Sequence, residues 1–468
     1  MCTWRDAELT PPASPSGSVG ALTAAYERGD TDPNRVLRRL VTRLEDDGRA
    51  DGGPFSDLCL NRAWEAADAS TRRWRQGTPL GPLDGVPVPL KDQHDVAGLP
   101  TRAGVRTRVE PASGDGELIG QLEEQGVVVP GKTRCTEWGL CPVGRSEHVR
   151  MPLHTLDPSR GAGGSSTGAG VAVSLGLVPA ALGSDAGGSL RIPAALLGLF
   201  AAKPAADPRR FRGDLFGRGS LTANGPIARC SADLATLLVA LGHPVSFDSL
   251  GRGVAGCRVG IPAQAWSMAE AATAARGRAL LTELEACGAV LTTVHAPRLA
   301  SSRSLGVAVV LAEGGLALDG AERLGQLGPQ AARSLRALRR GPWPSPGDIP
   351  RLRGALASEI AVLFEAVDLL ALPSTLGPAP LYGATPPGGY LLNERDNHAL
   401  CATTFTANLC GLPAASMPAG TVEGLPVGLQ LVGPTDGMSA ILAVMAEAER
   451  LGVTAVCPPG FEAPESSS

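Results

Sequence analysis

Apolar residues recur at helical spacing from Ser18 onward: Leu22 and Tyr26, then, past a break at Gly29 to Pro33, Val36, Leu37, Leu40, Val41 and Leu44. This pattern predicts two consecutive helices, with a third over about 60–76. Residues 81–91 change to alternating Val and Pro. Proline cannot donate to an interior ladder, so the segment predicts a short strand entering at a sheet edge, with Lys91 as its last residue. A helix over 117–125, a strand at Val127–Pro130 and a turn at Gly131–Thr133 follow. Residues 160–204 are dense in Gly, Ser and Ala. They predict a Gly-rich turn at 161–168, a helix near 166–176, a strand at 178–183, a second Gly turn at 184–188 and a helix from about 189, where Pro193 suits a first turn.

Downstream, a turn at Asn224–Ile227 leads to a helix over 231–242, and 257–262, 268–287 and 290–294 form a β-α-β unit. The stretch 300–365 is helical in pattern and broken at 341–347. After it come a strand at 367–372, a Pro/Gly-rich loop at 373–389, a helix around 393–410, strands at 413–417 and 427–432, and a last helix at 438–451. Helices and strands alternate without a long linker or a repeat of solenoid length. The expected fold is therefore α/β: one large domain over 18–460 with a central mixed sheet, helices on both faces and a helical insertion near 300–360. Residues 1–17 and 461–468 read as flexible ends.

Composition narrows the function classes. Basic and acidic residues number 42 and 46, and a net charge of −4 points away from nucleic acid and anionic membranes. The ten cysteines include no Cys-x-x-Cys pair and read as small buried hydrophobes in a reducing compartment. No run of 18 apolar residues occurs, and the first residues carry no basic-then-apolar leader, so the expected location is the cytoplasm. One oddity bears on chemistry: of the 42 basic residues only Lys91, Lys132 and Lys203 are lysines. A desolvated lysine can give up its proton and act as a base, which arginine cannot.

Two Gly-rich turns, Gly163–Gly168 and Gly183–Ser189, each run into a helix on either side of one short strand and so present backbone N–H groups at positive helix ends. Neither the Walker pattern nor Gly-x-Gly-x-x-Gly is present, which disfavours a phosphate. The other candidate is an oxyanion formed in acyl transfer, with Ser189 as nucleophile beneath the amides of Ala186, Gly187 and Gly188. The six histidines show no setting that marks one as its base. Gly164–Gly168 also fits Gly-x-Ser-x-Gly, with Ser166 as nucleophile of an α/β-hydrolase esterase, although that elbow should follow an apolar strand and here follows a loop-like Asp157–Ala162.

Taken together, Gly163-Gly-Ser-Ser, Gly183-Ser-Asp-Ala-Gly-Gly-Ser-Leu-Arg-Ile-Pro-Ala194, Lys203-Pro204 and Gly81-Pro-Leu-Asp-Gly-Val-Pro-Val-Pro-Leu-Lys-Asp92 resemble the motifs of the amidase signature family. The likeness extends through Gly131-Lys-Thr, Glu137, Gly225-Pro-Ile, Asn408–Pro413 and Gly424–Gln430, and leaves about 265–390 as the variable, substrate-pocket region. It implies the amidase signature fold and hydrolysis of a carboxamide C–N bond through a seryl acyl-enzyme. By it Ser189 is the nucleophile, Ser165 the bridging serine on a cis peptide after Gly164, and Lys91 the base, neutral when buried in a nonpolar setting. Asp185 and Arg191 become supporting residues of the loop, and Ser166 a hydrogen-bonding one. Lys132 and Lys203 become structural. No metal or organic cofactor is implied. The ligand is a small amide, and a homodimer is a possible assembly.

Alternatives are the amidase subunit of a tRNA-dependent amidotransferase, the esterase, and a catalytically silent scaffold. Ser184 stands where the family usually has threonine. Trp138, Tyr382 and Tyr390 are candidate pocket walls.

Overall fold

A computed structural model describes residues 17–46, 52–105, 109–206, 220–323, most of 325–340, 344–383 and 394–456. The end segments 1–16 and 457–468, and with them most of the expected flexible ends, lie outside the described residues.

The helices are α1 (Val19–Arg28), α2 (Pro33–Asp46), α3 (Leu60–Gln76), α4 (Glu117–Glu124), α5 (Thr167–Ser174), α6 (Arg191–Leu197), α7 (Ser231–Ala240), α8 (Ala263–Met268), α9 (Ala271–Ala286), α10 (Ser302–Arg323), α11 (Ile349–Ala366), α12 (Glu394–Cys401), α13 (Phe405–Leu409) and α14 (Met438–Arg450). The strands are β1 (Phe55–Leu58), β2 (Leu90–Lys91), β3 (Gly131–Thr133), β4 (Ala180–Asp185), β5 (Phe200–Lys203), β6 (Ala223–Ala228), β7 (Arg258–Pro262), β8 (Val290–Val294), β9 (Leu369–Pro373), β10 (Ala414–Val422) and β11 (Leu425–Val432). They form one mixed sheet in the order β1-β3-β2-β4-β6-β5-β10-β11-β9-β7-β8.

Local signals explain the ends of the helices. Ser18 caps α1 by accepting a hydrogen bond from the Ala21 N–H at 3.1 Å, and Gly29 closes it at φ 76°, donating to Ala25 and Tyr26. The central strands are buried on both sides, with successive residues facing opposite layers. Ala180, Leu182, Phe200, Ala202, Leu369 and Ala371 pack on one face with α1, α4, α7, α9 and α14. Their chain neighbours Ala181 and Ala201 pack on the other face with α2, α3 and α5, and Leu370 and Leu372 pack there with α10, α11 and α13.

Several segments depart from expectation. The Val/Pro segment does not end at a sheet edge: β2 lies inside the sheet, between β3 and β4, and both pairings are parallel. Its prolines are tolerated because the missing donors all lie on one side. The Val88 N–H donates to Val128 O (2.9 Å), while toward β4 the Pro89 carbonyl accepts from the Leu182 N–H (3.0 Å), so no donor is needed there. Gly131–Thr133 is the strand β3 rather than a turn. Asn224–Ile227, turn-like in composition, lies within β6. Its glycine serves close packing, since a Cβ on Gly225 would come 2.1 Å from Ala202 O.

The helix expected near 268–287 is present as α9, entered where the Glu270 N–H donates to Leu376 O (2.8 Å). The long helix expected near 393–410 is split at 402–404, where Thr403 and Thr404 hydroxyls donate to Pro373 O (2.8 Å) and Gly187 O (2.5 Å). Among the described residues no helix is long and apolar enough to cross a membrane.

Candidate active site

Parallel pairing of β2 with β4 sets Leu90 against Leu182 and so carries Lys91 to the end of β4. Lys91 Nζ donates to Ser165 Oγ (2.7 Å), to Ser184 Oγ (2.9 Å) and to the Ser184 carbonyl (3.5 Å). Ser184 Oγ in turn donates to Gln93 Oε1 (2.7 Å), giving a buried chain from Ser165 through Lys91 and Ser184 to Gln93. The Gly164–Ser165 peptide is cis. Glycine is required beside it: a Cβ on Gly164 would lie 2.4 Å from Cys141 O, and Gly163, at φ 79°, would bring one within 2.9 Å of the Pro193 backbone.

Ser166 does not face the cavity. Its N–H donates to the Ser189 carbonyl (3.2 Å) and its hydroxyl to the Ser184 carbonyl (3.3 Å), which ties the two Gly-rich loops together.

The second loop is held from below by an ion pair with no solvent exposure. Asp185 accepts from the Gly188 N–H (2.8 Å), the Leu190 N–H (3.2 Å) and Arg191 Nη2 and Nε (2.8 and 3.0 Å). Arg191 reaches onward to Thr404 O (3.0 Å), Asn408 Oδ1 (2.6 Å) and Gln430. Burial by itself would raise the Asp185 carboxyl. The charge and hydrogen bonds of Arg191, with Lys203 and Asn408, hold it well below the usual carboxylate range. The loop above is thus fixed by a permanent charge pair, and its Ala186, Gly187 and Ser189 line a cavity of about 170 Å³.

All three lysines of the chain are at most 1% exposed. Lys132 pairs with Asp92 at 2.6 Å and donates to Pro100 O (2.8 Å) and Thr101 (2.9 Å). Burial still pushes the Asp92 carboxyl up to about 6, outweighing the pull of Lys132. Lys203 donates to Pro204 O (3.0 Å), and burial, followed by the Arg191 charge, lowers it to about 7.

No histidine lies among the described residues that line the cavity. His94, behind Lys91, is held down to about 3 by burial and then by Lys91 and Lys132, and His154 is pinned to Leu196 O at 2.7 Å. Among the described residues no group of three or more His, Cys, Asp or Glu side chains could hold a metal ion.

Of the expected wall residues, Trp138 lines the cavity, Tyr382 instead lies under the Arg145 guanidinium (5.0 Å), and Tyr390 falls outside the described residues. Sequence reasoning missed Gln93 and gave Ser184 no partner. It also passed over Gly139, where a Cβ would meet Gln93 Nε2 at 2.9 Å and Ser165 Oγ at 3.3 Å. Gln93 sits in the turn just after Lys91, a position that no spacing rule singles out.

A buried amine on a buried serine, next to a second serine that opens under loop amides, can carry out acyl transfer without a histidine. Comparison with known proteins agrees in kind. The Amidase family model matches residues 51–340 and 349–438, running through the region where no motif was legible. The chain is 31% identical to a glutamyl-tRNA(Gln) amidotransferase subunit of Chloroflexus aurantiacus, over 93% of this chain and 96% of that one. It is 32% identical to AmiA2 of Mycobacterium bovis, named as an amidase, over 82% and 83%.

A solved amidase structure superposes with a TM-score of 0.79 at 29% identity, covering 93% of this chain and 99% of that one. Another, described as a vestigial complex bearing on the origins of an s-triazine catabolic enzyme, gives 0.83 at 25%, covering 94% and 100%. With motifs, sheet and length all in agreement, the chain belongs to the amidase signature family and is an amidohydrolase acting on C–N amide bonds.

Proposed function

We propose that this amidohydrolase works through Ser189, Ser165 and Lys91 as nucleophile, bridge and base. Neutral Lys91 takes the proton of Ser165 Oγ as Ser165 takes that of Ser189 Oγ, and Ser189 Oγ bonds to the amide carbon. The Ala186 and Gly187 amides receive the oxyanion, while the Gly188 N–H, engaged by Asp185, keeps the loop in shape. Collapse breaks the C–N bond, and the departing nitrogen leaves as ammonia or amine with the proton returned along the same chain. Water then repeats the sequence in place of the amine and releases the carboxylate. No metal or organic cofactor enters.

The observation that carries this reading is the enclosed 2.7 Å contact of Lys91 Nζ with Ser165 Oγ, beside a Ser189 that opens to the cavity. The compartment we assign is the cytoplasm, in keeping with the unpaired state of the eight described cysteines. Length-wide likeness to a tRNA-dependent amidotransferase component favours a second reading, an amidase that hands ammonia to partner proteins.

Intact-mass spectrometry and peptide mapping after exposure to a serine-directed acylating probe test the mechanism. The expected result is a single adduct on Ser189 that Lys91→Ala abolishes. An adduct on Ser166, or none, overturns the reading. Amide turnover by the chain alone, without added partner proteins, separates the first reading from the second.

A further inference from the structure

The acyl side of the cavity is apolar: Trp138, Ile192, Leu221, Val307, Val310 and Phe405 form much of its wall. Helix α10 contributes a stripe, since Arg303, Val307, Val310 and Gly314 recur at i, i+4, i+7 and i+11 and all line the space. The stripe is seated directly on the loop below. The Phe405 ring is held between Gly187 and Gly306, where an added Cβ would come within 2.5 Å and 2.1 Å of it. Arg303, one helical turn before Val307, is the one cation among the described lining residues, and its guanidinium makes no hydrogen bond or ion pair with any described residue. A partly buried guanidinium set in a largely apolar wall can meet an anionic ligand there, and its planar fork matches a carboxylate.

Glu313 also lines the cavity, but an α-amino acid cannot span the two. Ten residues of helix separate them by about 15 Å, whereas an amino acid carries its ammonium and carboxylate on one carbon. Glu313 is in any case engaged by the N–H (2.7 Å) and hydroxyl of Ser220. A cavity of about 170 Å³ has room for one six-membered ring, on the scale of about 150 Å³ for a cavity that takes up benzene.

Building on Ser189 as nucleophile, we propose that the acyl donors of this enzyme are half-amides of apolar dicarboxylic acids, about one ring in size. The apolar body lies against Val307 and Phe405, the scissile amide sits at Ser189, and the far carboxylate binds Arg303. Arg303 is a specificity-determining residue that touches the substrate away from the reacting atoms.

The test compares 4-carbamoylbenzoate, 4-methylbenzamide and glutamine as ammonia donors for the native enzyme, Arg303→Met and Arg303→Lys. The native enzyme should favour 4-carbamoylbenzoate over 4-methylbenzamide by about tenfold or more in kcat/KM, carried mainly by KM, with glutamine poorest. Arg303→Met should lower that ratio about tenfold, and Arg303→Lys should restore part of it. Equal or better use of 4-methylbenzamide by the native enzyme, a ratio unchanged in Arg303→Met, or glutamine as the best donor would each overturn the assignment. Labelling of Ser189 by the acylating probe in the same preparations separates this failure from failure of the mechanism. With Ser189 labelled and none of the three amides turned over, only the substrate assignment falls; without labelling, the mechanism falls as well.

Discussion

Below Ser189, the side chains of Lys91, Gln93, Ser165, Ser184, Asp185 and Arg191 are at most 4% exposed and tied together by hydrogen bonds. Above it, the wall formed by α10, Phe405 and Trp138 is apolar, and its one cation stands without a described partner. The floor is polar and satisfied, while the wall is largely apolar and carries a partly exposed cation. In a low dielectric a polar network is rigid only when each member is paired, so the floor tolerates little change. An apolar wall is defined by shape, and it can be recut one side chain at a time at modest cost.

The sharpest way to break this contrast is Lys91→Arg. If the floor works by proton transfer, a permanent cation there lowers kcat by about 10³-fold. Near-normal turnover in a direct ammonia assay would mean that Lys91 only positions the serines. Asp185→Asn comes next, leaving the buried Arg191 charge without its partner. Urea unfolding should register a loss of about 3–5 kcal/mol, far beyond any single wall substitution that keeps volume.

Ser184→Ala and Gln93→Leu should each lower kcat about tenfold with KM nearly kept, since they loosen Lys91 without touching the wall. A change confined to KM would move these residues to the substrate side. A last effect, read on stability and not on turnover, concerns Lys203. Burial and Arg191 hold it at about 7 in the folded chain, against an ordinary 10.5, so the unfolded chain binds more protons between those values and stability rises with pH across that window. The contribution is complete above the unfolded value and is lost as pH falls toward 7. In Lys203→Met the slope of unfolding free energy against pH should flatten there.

Much of the fold was readable where local chemistry decides it. Helix α3 spans the expected 60–76, and Ser18 and Gly29 bracket α1 as capping residues. What escaped was set by distant partners. The prolines of 81–91 suggest an edge until Val128 and Leu182 are known to supply the missing ladder, and Asn224-Gly-Pro suggests a turn until Ala202 is seen against Gly225. The floor of the site was legible by resemblance, because Lys91, Ser165, Ser189, Asp185 and Arg191 sit in contiguous motifs. Gln93, Gly139 and Arg303 belong to it or its wall only through contacts across the fold.

The burial of all three lysines leaves the folded surface without a side-chain amine. An amine-directed reagent can reach Lys91, Lys132 or Lys203 only when the interior opens, so uptake of label at these positions is a clock for opening and not a map of the surface. Each reports a separate part of the interior: the Ser165 and Ser184 contacts, the Asp92 pair, and the strand beside the loop-holding ion pair. By the same logic, enzymes that modify lysines have no target on the native chain, and its permanent positive surface charge is carried by arginines, whose ionisation does not change with physiological pH.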